Sequence, residues 1–328
     1  MIAVAVCTHN PDERLFRRVL ESILAQTLQP DECVIVDNAS DPPIASRPAV
    51  ADFLARSANA RVVVEMKKGL SYARVAAIDN TAAPILCFVD DDNEPAPDYL
   101  EQAQRILGER ACIGVIGPGN VVVDFVDPVS PWFAQRFSHH FQEKHHEGLA
   151  YGCAGSTWTD YYPPGSCMVA RREVLLRYRE GVMGGRLSLT GRAGKKMTSG
   201  DDTQIVWEAV KMELAAGISS ALRIKHMIPA KRSTLAYMKR LCFGTSSSYL
   251  PALTGSFPDE TRKLPPPPSD GRITWTMFKI AARHIARMRL KLLPIALATY
   301  AGTTAGLVRA AGAERRWLAR WIRLLRLE

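Results

Sequence analysis

Three adjacent carboxylates, Asp90, Asp91 and Asp92, follow an apolar run at residues 84–89. Carboxylates this close repel one another, at a cost of about 1 kcal/mol per close pair near a protein surface. A divalent cation removes that repulsion, and Mg²⁺ or Mn²⁺ often takes one or two protein carboxylates together with oxygens of a bound diphosphate. The cluster therefore predicts half of a metal site that a nucleotide completes. A solvated acidic turn is the alternative interpretation.

A second acidic pair, Asp201 and Asp202, comes directly before a helical pattern that contains Ile205, Val206 and Val210. A carboxylate at a helix start can serve only as a cap or as a partner of the helix dipole. The same field keeps a carboxylate ionised, which a general base requires. The pair is therefore a candidate catalytic base, with the capping role as the open alternative.

The elements that must position these carboxylates alternate between strands and helices. Such alternation predicts an α/β fold with a largely parallel sheet, and ligands bind at the carboxyl ends of its strands. The polar groups at 8–10, 37–41 and 90–94 follow predicted strands. The predicted strands are 2–7, 32–36, 61–65, 84–89 and 218–228, and the predicted helices are 11–26, 69–81, 98–107, 201–216 and 231–249, with an irregular region at 117–165.

Four consecutive prolines lie within residues 264–269 and exclude both a helix and a central strand there. We therefore expect a boundary close to this segment. The predicted organisation is a catalytic domain at 1–250, a Pro-rich linker at 251–272 and a basic amphipathic helical tail at 273–328.

Charge is unevenly distributed along the chain. Residues 271–328 hold twelve Lys or Arg against two Asp or Glu, a balance of +10, whereas the whole chain carries +9. Residues 1–270 therefore sum to −1, which argues against a nucleic-acid partner. The tail has an uncharged run at 292–308 that is shorter than the roughly 20 residues of a spanning helix. We expect helices that lie on a cytoplasmic membrane surface, with Trp317 and Trp321 at the interface; a helical hairpin packed on the catalytic domain is the alternative.

The remaining composition excludes several classes of site. The first residues lack the pattern of a secretory signal, so we expect a cytoplasmic protein, peripheral on the inner membrane if the tail binds lipid. Seven cysteines without a Cys-x-x-Cys pair suggest neither a disulfide framework nor structural zinc. Four histidines within residues 139–146 are interpreted as an exposed loop rather than a zinc site.

Taken together, the motifs resemble the family 2 glycosyltransferases of the GT-A fold, in their order and their spacing. The resemblance covers roughly residues 1–250 and implies a Rossmann-like nucleotide-binding sheet, mostly parallel, with the helical tail as an appendage. The segments that carry it are VAVCTHN at 4–10, VIVDNAS at 34–40, GLSYAR at 69–74, FVDDD at 88–92 and GDDT at 200–203.

The resemblance implies a role for each matching residue. Asp202 matches the catalytic base, with Asp201 beside it, and Asp92 matches the metal ligand. His226 resembles a histidine that in some relatives completes the metal or diphosphate site; a structural histidine is the alternative. The residues that match the nucleotide side are Thr8, Asn10, Asp37, Arg74, Asp90 and Asp91.

These roles predict a hexosyltransferase-type enzyme that moves a sugar from a nucleotide-sugar donor, UDP by default, to a saccharide or lipid-linked acceptor with inversion. Lys231 and Arg232 are candidate cations for the leaving diphosphate, and residues 165–168 match the acceptor side. Two other classes stay open: a nucleotidyltransferase of related α/β fold, and a non-catalytic membrane-binding or polyanion-binding relative.

Overall fold

The structure, a computed structural model, describes residues 1–187, 191 and 197–327. The chain forms two compact units, each built from two segments. Unit 1 consists of Met1–Gly185 and Asp202–Ala230, and unit 2 of Arg186–Asp201 and Lys231–Glu328.

Unit 1 is built on one mixed sheet, whose strand order is β3-β2-β1-β4-β9-β6-β10-β5, with β7 paired to β6 and β8 to β10. The half formed by β1 to β4 is parallel, and β6 and β10 are also parallel to each other. The strands β9 and β5 run antiparallel to their neighbours. The strands are β1 (Ala3–Thr8), β2 (Glu32–Asp37), β3 (Ala60–Val64), β4 (Ile85–Asp90), β5 (Asn93–Pro95), β6 (Ile113–Phe125), β7 (Lys144–His145), β8 (Leu149–Gly152), β9 (Val169–Arg171) and β10 (Ala215–Ile228).

The helices of unit 1 cover the sheet through apolar faces. The first helix, for example, is capped by Asp12, whose side chain accepts a hydrogen bond from the Arg14 amide, and it buries Phe16 and Val19. One cluster of buried side chains joins this helix to the parallel strands. The helices are α1 (Glu13–Leu24), α2 (Pro48–Arg56), α3 (Leu70–Asp79), α4 (Tyr99–Glu109), α5 (Pro131–Phe137), α6 (Arg172–Met183) and α7 (Asp201–Lys211).

The predicted alternation of strands and helices over residues 1–110 is confirmed, with boundaries that differ by one or two residues. Two predictions farther along were wrong. The region at 117–165 is not irregular at its start, because β6 runs to Phe125. The helix predicted to reach residue 216 ends at Lys211, since Ala215 already pairs with β6.

The histidine-containing segment is more regular than the loop that the sequence predicted, although His139 and His145 are exposed as predicted. Residues Ser138–Phe141 form a 3₁₀ turn, and β7 follows it and pairs with β6. Phe141 is buried and packs edge-on against Phe125. Burial, together with neighbouring His139 and Arg136, lowers the pKa of His140 to about 4.

Unit 2 is helical in the part that the structure describes. Its central contact is between α8 and α10, where Gly302 lies so close to the Phe243 carbonyl that a Cβ would approach it to 2.5 Å. The uncharged run of α10, which was predicted to lie at a membrane surface, is therefore part of the packed interior of unit 2. Packing of the tail on the catalytic domain stays a prediction. No helix within 1–187 or 197–327 combines the length and apolar content needed to span a bilayer. The helices are α8 (Leu235–Ser256), α9 (Asp270–Ala286), α10 (Leu293–Ala310) and α11 (Arg316–Leu324).

The predicted linker at 251–272 begins inside a helix. It contains the last residues of α8, a 3₁₀ turn at Pro258–Lys263 and the start of α9, so the stretch without helix is 264–269. The prolines account for that stretch. The catalytic boundary at residue 250 stays a prediction, and α8 runs across it.

Candidate active site

Two strand ends that carry predicted nucleotide-side residues meet where β1 and β4 lie side by side. Thr8 ends β1, Asp90 ends β4, and the parallel register pairs Cys7 with Asp90. The Thr8 hydroxyl donates a hydrogen bond of 2.5 Å to Asp91 Oδ2. The carboxyl ends of the parallel strands thus bring the predicted nucleotide-side residues Thr8, Asp90 and Asp91 to one place.

Asp92 is buried against His226, although 134 positions separate them in the sequence. The pairing of β5 with β10 sets Asn93 opposite His226, and the Met227 amide donates to the Asp92 carbonyl at 2.8 Å. His226 Nε2 lies 3.6 Å from Asp92 Oδ2, and both residues are less than a tenth exposed. The other ring nitrogen, Nδ1, is 2.8 Å from the Phe141 carbonyl. Since a carbonyl only accepts, Nδ1 carries the proton, and in the neutral ring Nε2 is then an acceptor directed at Asp92.

The pair fits two ligands of one divalent cation. Nε2 and Oδ2 are too far apart for a good hydrogen bond, but two metal bonds of about 2.1 Å can span 3.6 Å. Nearby, the Asn93 amide donates to Asp92 Oδ1 at 2.7 Å, and its own buried oxygen has no hydrogen-bond partner within the described residues. In the part of the chain that the structure describes, no three His, Cys, Asp or Glu side chains are grouped to hold a metal. Two protein ligands plus diphosphate oxygens are a usual set for Mg²⁺.

Asp37 is buried at the end of β2, where its carboxylate holds its own loop. Oδ1 accepts from the Ser40 amide at 2.9 Å and Oδ2 from the Ile44 amide at 3.0 Å. Neighbouring Asn38 is equally engaged, because its amide donates to the Glu65 carbonyl. The structure therefore gives Asp37 a definite part in shaping the 37–44 loop, and its predicted contact with a nucleotide base stays a prediction.

The other two nucleotide-side candidates differ in exposure. Asn10 is exposed with a left-handed φ of 52°, and its side-chain oxygen accepts from the Asp41 amide, which ties the β1 loop to the β2 loop. Arg74 is buried in α3 with its guanidinium 5.5 Å from the centre of the Phe88 ring. A buried guanidinium below the acidic strand end supplies fixed positive charge to that part of the sheet.

The second acidic centre lies at the start of α7. Asp202 is half-buried, and its Oδ1 accepts from the Thr203 amide at 2.8 Å. Its other oxygen faces the backbone of Gly165, where a Cβ would come within 2.7 Å of Oδ2 and 2.9 Å of the Asp202 Cβ. Only a glycine at residue 165 leaves room for this carboxylate. Asp201, the first residue of α7, is buried.

The segment 165–168 connects the two acidic centres. It continues from β9 alongside β4, since the Phe88 amide donates to the Met168 carbonyl at 2.8 Å. Burial raises the pKa of the Cys167 thiol well above its usual range, and the charges of Asp90 and Asp92 raise it further. The antiparallel register of β4 with β9 and the hydrogen bond between Phe88 and Met168 carry residues 165–167 alongside the end of β4, and Gly165 there contacts Asp202. The sheet thus brings the two centres to the same edge.

A second connection passes through Phe141 and Gln142. The Phe141 carbonyl orients His226, and the Gln142 side chain accepts a 2.5 Å hydrogen bond from the buried Ser166 hydroxyl. Gln142 adopts a left-handed φ of 68°, which turns the chain between these two contacts. We call residues 141–142 the strap.

Sequence reasoning missed the strap, Asn93 as a partner of Asp92, and Gly165 as the neighbour of Asp202. No local pattern marks Phe141 or Gln142, because their importance depends on contacts with residues far along the chain. Gly165 carried a signal, since a glycine before a buried run often marks close backbone approach. Lys231 and Arg232 form the end of a 3₁₀ turn, Ala230–Arg232, directly after β10.

Comparison with known proteins identifies the family of this chain. Residues 3–178, just over half of the chain, match the sequence model described as glycosyl transferase family 2. The chain is 25% identical over 163 residues to the putative glycosyltransferase EpsH of Bacillus subtilis, covering 49% of this chain and 46% of that protein. It is 26% identical over 140 residues to the glucosyl-dolichyl phosphate glucuronosyltransferase of Haloferax volcanii, covering 42% and 43%. The matches span less than half the length of either relative.

Among solved structures, the mannosyltransferase PcManGT from Pyrobaculum calidifontis, in complex with GDP-Man and Mn²⁺, is similar in fold. The TM-score is 0.54 at 18% sequence identity, over 95% of this chain and 86% of that one. This likeness confirms the predicted fold class, a GT-A type α/β sheet. The family match likewise confirms the resemblance found in the sequence, so this chain belongs to glycosyl transferase family 2.

Proposed function

We propose that this enzyme transfers a hexose from a nucleotide-sugar donor to an acceptor hydroxyl in a single displacement that inverts the anomeric carbon. The observation that carries the proposal is the meeting of two acidic centres at one sheet edge. Asp92 and His226 are spaced to bind a cation, and the half-buried Asp202 carboxylate packs against the backbone of Gly165. A reaction that expels a diphosphate and deprotonates an alcohol needs both kinds of centre.

On the donor side, Asp92 and His226 would hold Mn²⁺ or Mg²⁺ together with the diphosphate. The bound cation would stabilise the charge that develops on the leaving group. Manganese is supported by the mannosyltransferase of similar fold, whose structure is a complex with GDP-Man and Mn²⁺. Thr8 fixes Asp91 beside this position, and Asn10, Asp37, Arg74 and Asp90 would shape the nucleotide pocket around it.

On the acceptor side, Asp202 would take the proton of the attacking hydroxyl. It lies at the first turn of α7, and the Thr203 amide fixes one of its oxygens. The second oxygen, against Gly165, would then face the acceptor. Asp201 would help to set the start of the helix.

For the substrates, UDP is the default nucleotide from the family resemblance, and GDP-sugars deserve equal testing because the similar mannosyltransferase binds GDP-Man. The acceptor would be a saccharide or a lipid-linked sugar of a polysaccharide, glycolipid or other glycoconjugate. A lipid-linked acceptor is supported by the name of the Haloferax relative, which acts on a dolichyl phosphate glycolipid. Such an acceptor would place the enzyme at the cytoplasmic face of a membrane.

A thermal-shift screen of UDP-, GDP- and dTDP-sugars, with Mn²⁺ or with EDTA, tests the donor half of this proposal. We expect one nucleotide class to raise the melting temperature, with the shift lost in EDTA. Release of nucleoside diphosphate from the selected donor, compared between the wild-type protein and Asp202→Asn, then tests the chemistry. Release of pyrophosphate from a nucleoside triphosphate would instead indicate a nucleotidyltransferase, and no stabilisation by any donor with Mn²⁺ would contradict the proposal.

A further inference from the structure

The outer side of α9 carries a row of large apolar side chains in contact with solvent. Trp275, Phe278 and Ile285 are 61%, 57% and 58% exposed, whereas Ile273 and Met277 on the opposite side are buried. At 3.6 residues per turn the three exposed residues lie within about 80° of one another around the helix axis. Single exposed apolar residues are ordinary, but a contiguous row marks an interaction surface.

The apolar surface continues beyond α9. Met288 and Leu290, just after the helix, are 90% and 61% exposed. On α11, Trp317 and Leu324 are also exposed and lie within about 20° of each other around that helix.

The contacts of α11 fix its position alongside α9. The Trp317 amide donates to Asp270 Oδ1 at 3.1 Å, and Trp321 Nε1 donates to Thr274 Oγ1 at 3.4 Å. The rings of Phe278 and Trp321 pack edge to face, with their centroids 6.1 Å apart. Both helices therefore begin at the same end of the pair and run in the same direction.

Cations lie directly beside the apolar residues on both helices. Arg272, Lys279 and Arg283 fall within about 40° of one another, on the side of Trp275 away from Ile285. Lys279 Nζ lies 5.3 Å from the Trp275 ring centre, and the Arg320 guanidinium lies 4.7 Å from that of Trp317. Within the described part of the chain, Lys279, Arg283 and Arg320 form no ion pair with a carboxylate.

We propose that this tail face, made of the exposed apolar and cationic residues of α9, α11 and residues 287–291, binds the surface of a bilayer that contains anionic lipid. Helices that lie in a membrane interface have an apolar face that includes tryptophan, with Lys and Arg beside it. Residues 271–328 carry a net charge of +10, which attracts anionic headgroups and would repel a second copy of the same face. Nucleic acid would use the cations but not Ile285, Met288 and Leu290.

The packing of α10 limits how the tail face can bind. The uncharged run of α10 is the core of unit 2, where Ala298, Ala301 and Thr304 are buried. The inference therefore concerns adsorption through α9 and α11, with α10 kept in the protein. It is independent of the sugar-transfer chemistry, so either proposal can fail without the other.

Co-sedimentation of the full chain with vesicles tests the apolar part. We expect binding to phosphatidylcholine vesicles that contain phosphatidylglycerol, and at least tenfold weaker binding for Trp275→Ser/Ile285→Ser. The matched control is Leu176→Ser/Met183→Ser, which removes two exposed apolar residues from α6 of unit 1 and should bind as the wild type does. Equal losses in the two variants would overturn the proposal, as would a wild-type protein that does not bind.

Replacing cations tests the electrostatic part. Lys279→Gln/Arg283→Gln/Arg320→Gln should weaken binding by roughly 10- to 100-fold, and added salt should weaken wild-type binding. The control, Arg17→Gln/Arg105→Gln/Arg110→Gln, removes the same charge from unit 1. Equal binding of the wild type to pure phosphatidylcholine vesicles would contradict an anionic lipid partner. A dimer in solution that becomes a monomer in Trp275→Ser/Ile285→Ser would also contradict a lipid partner.

A fluorescence measurement replaces the serine variant if its melting temperature is lower than that of the wild type. Brominated phospholipid should quench the tryptophan fluorescence of the lipid-bound wild type more than that of Trp275→Phe. Equal quenching of the two proteins would contradict the proposal.

Discussion

Asp92 and Asp202 are the same chemical group at one edge of one sheet, and their surroundings differ in every respect. Asp92 is buried with an imidazole nitrogen 3.6 Å away, held there by strand pairing between β5 and β10. Asp202 is half-buried at a helix start, and it is positioned by the absence of a side chain at Gly165. Asp92 is therefore positioned by the side chain that faces it, and Asp202 by the lack of a side chain at residue 165.

That difference separates two chemical tasks. The Asp92 carboxylate and the His226 ring are buried at a spacing that one cation can bridge, so this environment favours the binding of a metal ion. A half-buried carboxylate at the start of a helix can reach a proton on an incoming molecule. The comparison predicts that substitutions at the first centre change donor binding, and that those at the second change turnover.

The largest effect is expected from Asp202→Asn. The amide has nearly the same shape but cannot accept the acceptor's proton, so kcat should fall by about 10²- to 10⁴-fold. Donor stabilisation in a thermal-shift assay should remain as in the wild type. Near-normal transfer by this variant would show that Asp202 is not the base.

Asp92→Asn is expected to weaken donor binding rather than turnover. Loss of a ligand should weaken Mn²⁺-dependent donor binding by more than the roughly 10- to 100-fold that loss of an outer-shell partner costs. His226→Gln should weaken it in the same direction. Titration of Mn²⁺ at fixed donor measures this, and an unchanged metal dependence in both variants would remove the pair from the metal site.

Gly165→Ala should separate position from chemistry at the second centre. The new Cβ would lie 2.7 Å from Asp202 Oδ2, so the carboxylate must move while keeping its charge. Displacement of a base by about 1 Å costs up to a hundredfold, and we expect kcat to fall by roughly 10- to 100-fold with the donor affinity unchanged. Gly155→Ala is a poor control because of its positive φ, whereas Gly108→Ala, on α4 with open space around it, is a matched one.

These three residues also show how far the sequence alone could go. Asp92 and Asp202 were predictable because each lies next to a local pattern: Asp92 follows an apolar strand, and Asp202 precedes the apolar face of a helix. Their convergence was predictable only through the family resemblance. The contact of Gly165 with Asp202 and the orientation of His226 by Phe141 depend on pairing between distant strands, which no local pattern encodes.

The fold shows the same limit. The first four strands were predicted within one or two residues, since each is a short run rich in β-branched or other apolar residues. Strand β6 was missed because Gly117, Pro118 and Gly119 interrupt it. The structure explains the last of these, since a Cβ on Gly119 would lie 2.6 Å from the carbonyl carbon of Ser219 on β10. Gly119 looks like a strand breaker in the sequence, but its lack of a side chain allows β6 and β10 to approach each other.

Ser166→Ala tests whether the strap connects the two centres. The substitution leaves the Gln142 side-chain oxygen without its 2.5 Å hydrogen bond, which should cost about 1 kcal/mol of stability. Because the strap also orients His226, we expect a few-fold loss in both metal-dependent donor binding and kcat. A loss confined to kcat would place Ser166 with the Asp202 centre alone, and Ser138→Ala, on the preceding turn, is the control.

The smallest effect is expected at Glu94, an acid two residues from Asp92. It pairs with Lys225, and the alternation of β5 and β10 directs both away from the face that holds Asn93 and His226. Burial raises the pKa of Glu94, but hydrogen bonds from Lys225 and Arg18 outweigh it and hold the pKa below its usual value. The ionised Glu94 carboxylate therefore stabilises the fold above pH about 4.3, and this stabilisation is lost as the pH falls through the pKa of Glu94 in the folded protein.

Glu94→Gln should lower the free energy of unfolding by about 1 kcal/mol or less at pH 7. In denaturant titrations the difference from wild type should disappear in acid, while Mn²⁺ dependence and kcat stay unchanged. A changed Mn²⁺ dependence in this variant would mean that the donor-side acids are not confined to the buried face, and the contrast between the two centres would no longer hold.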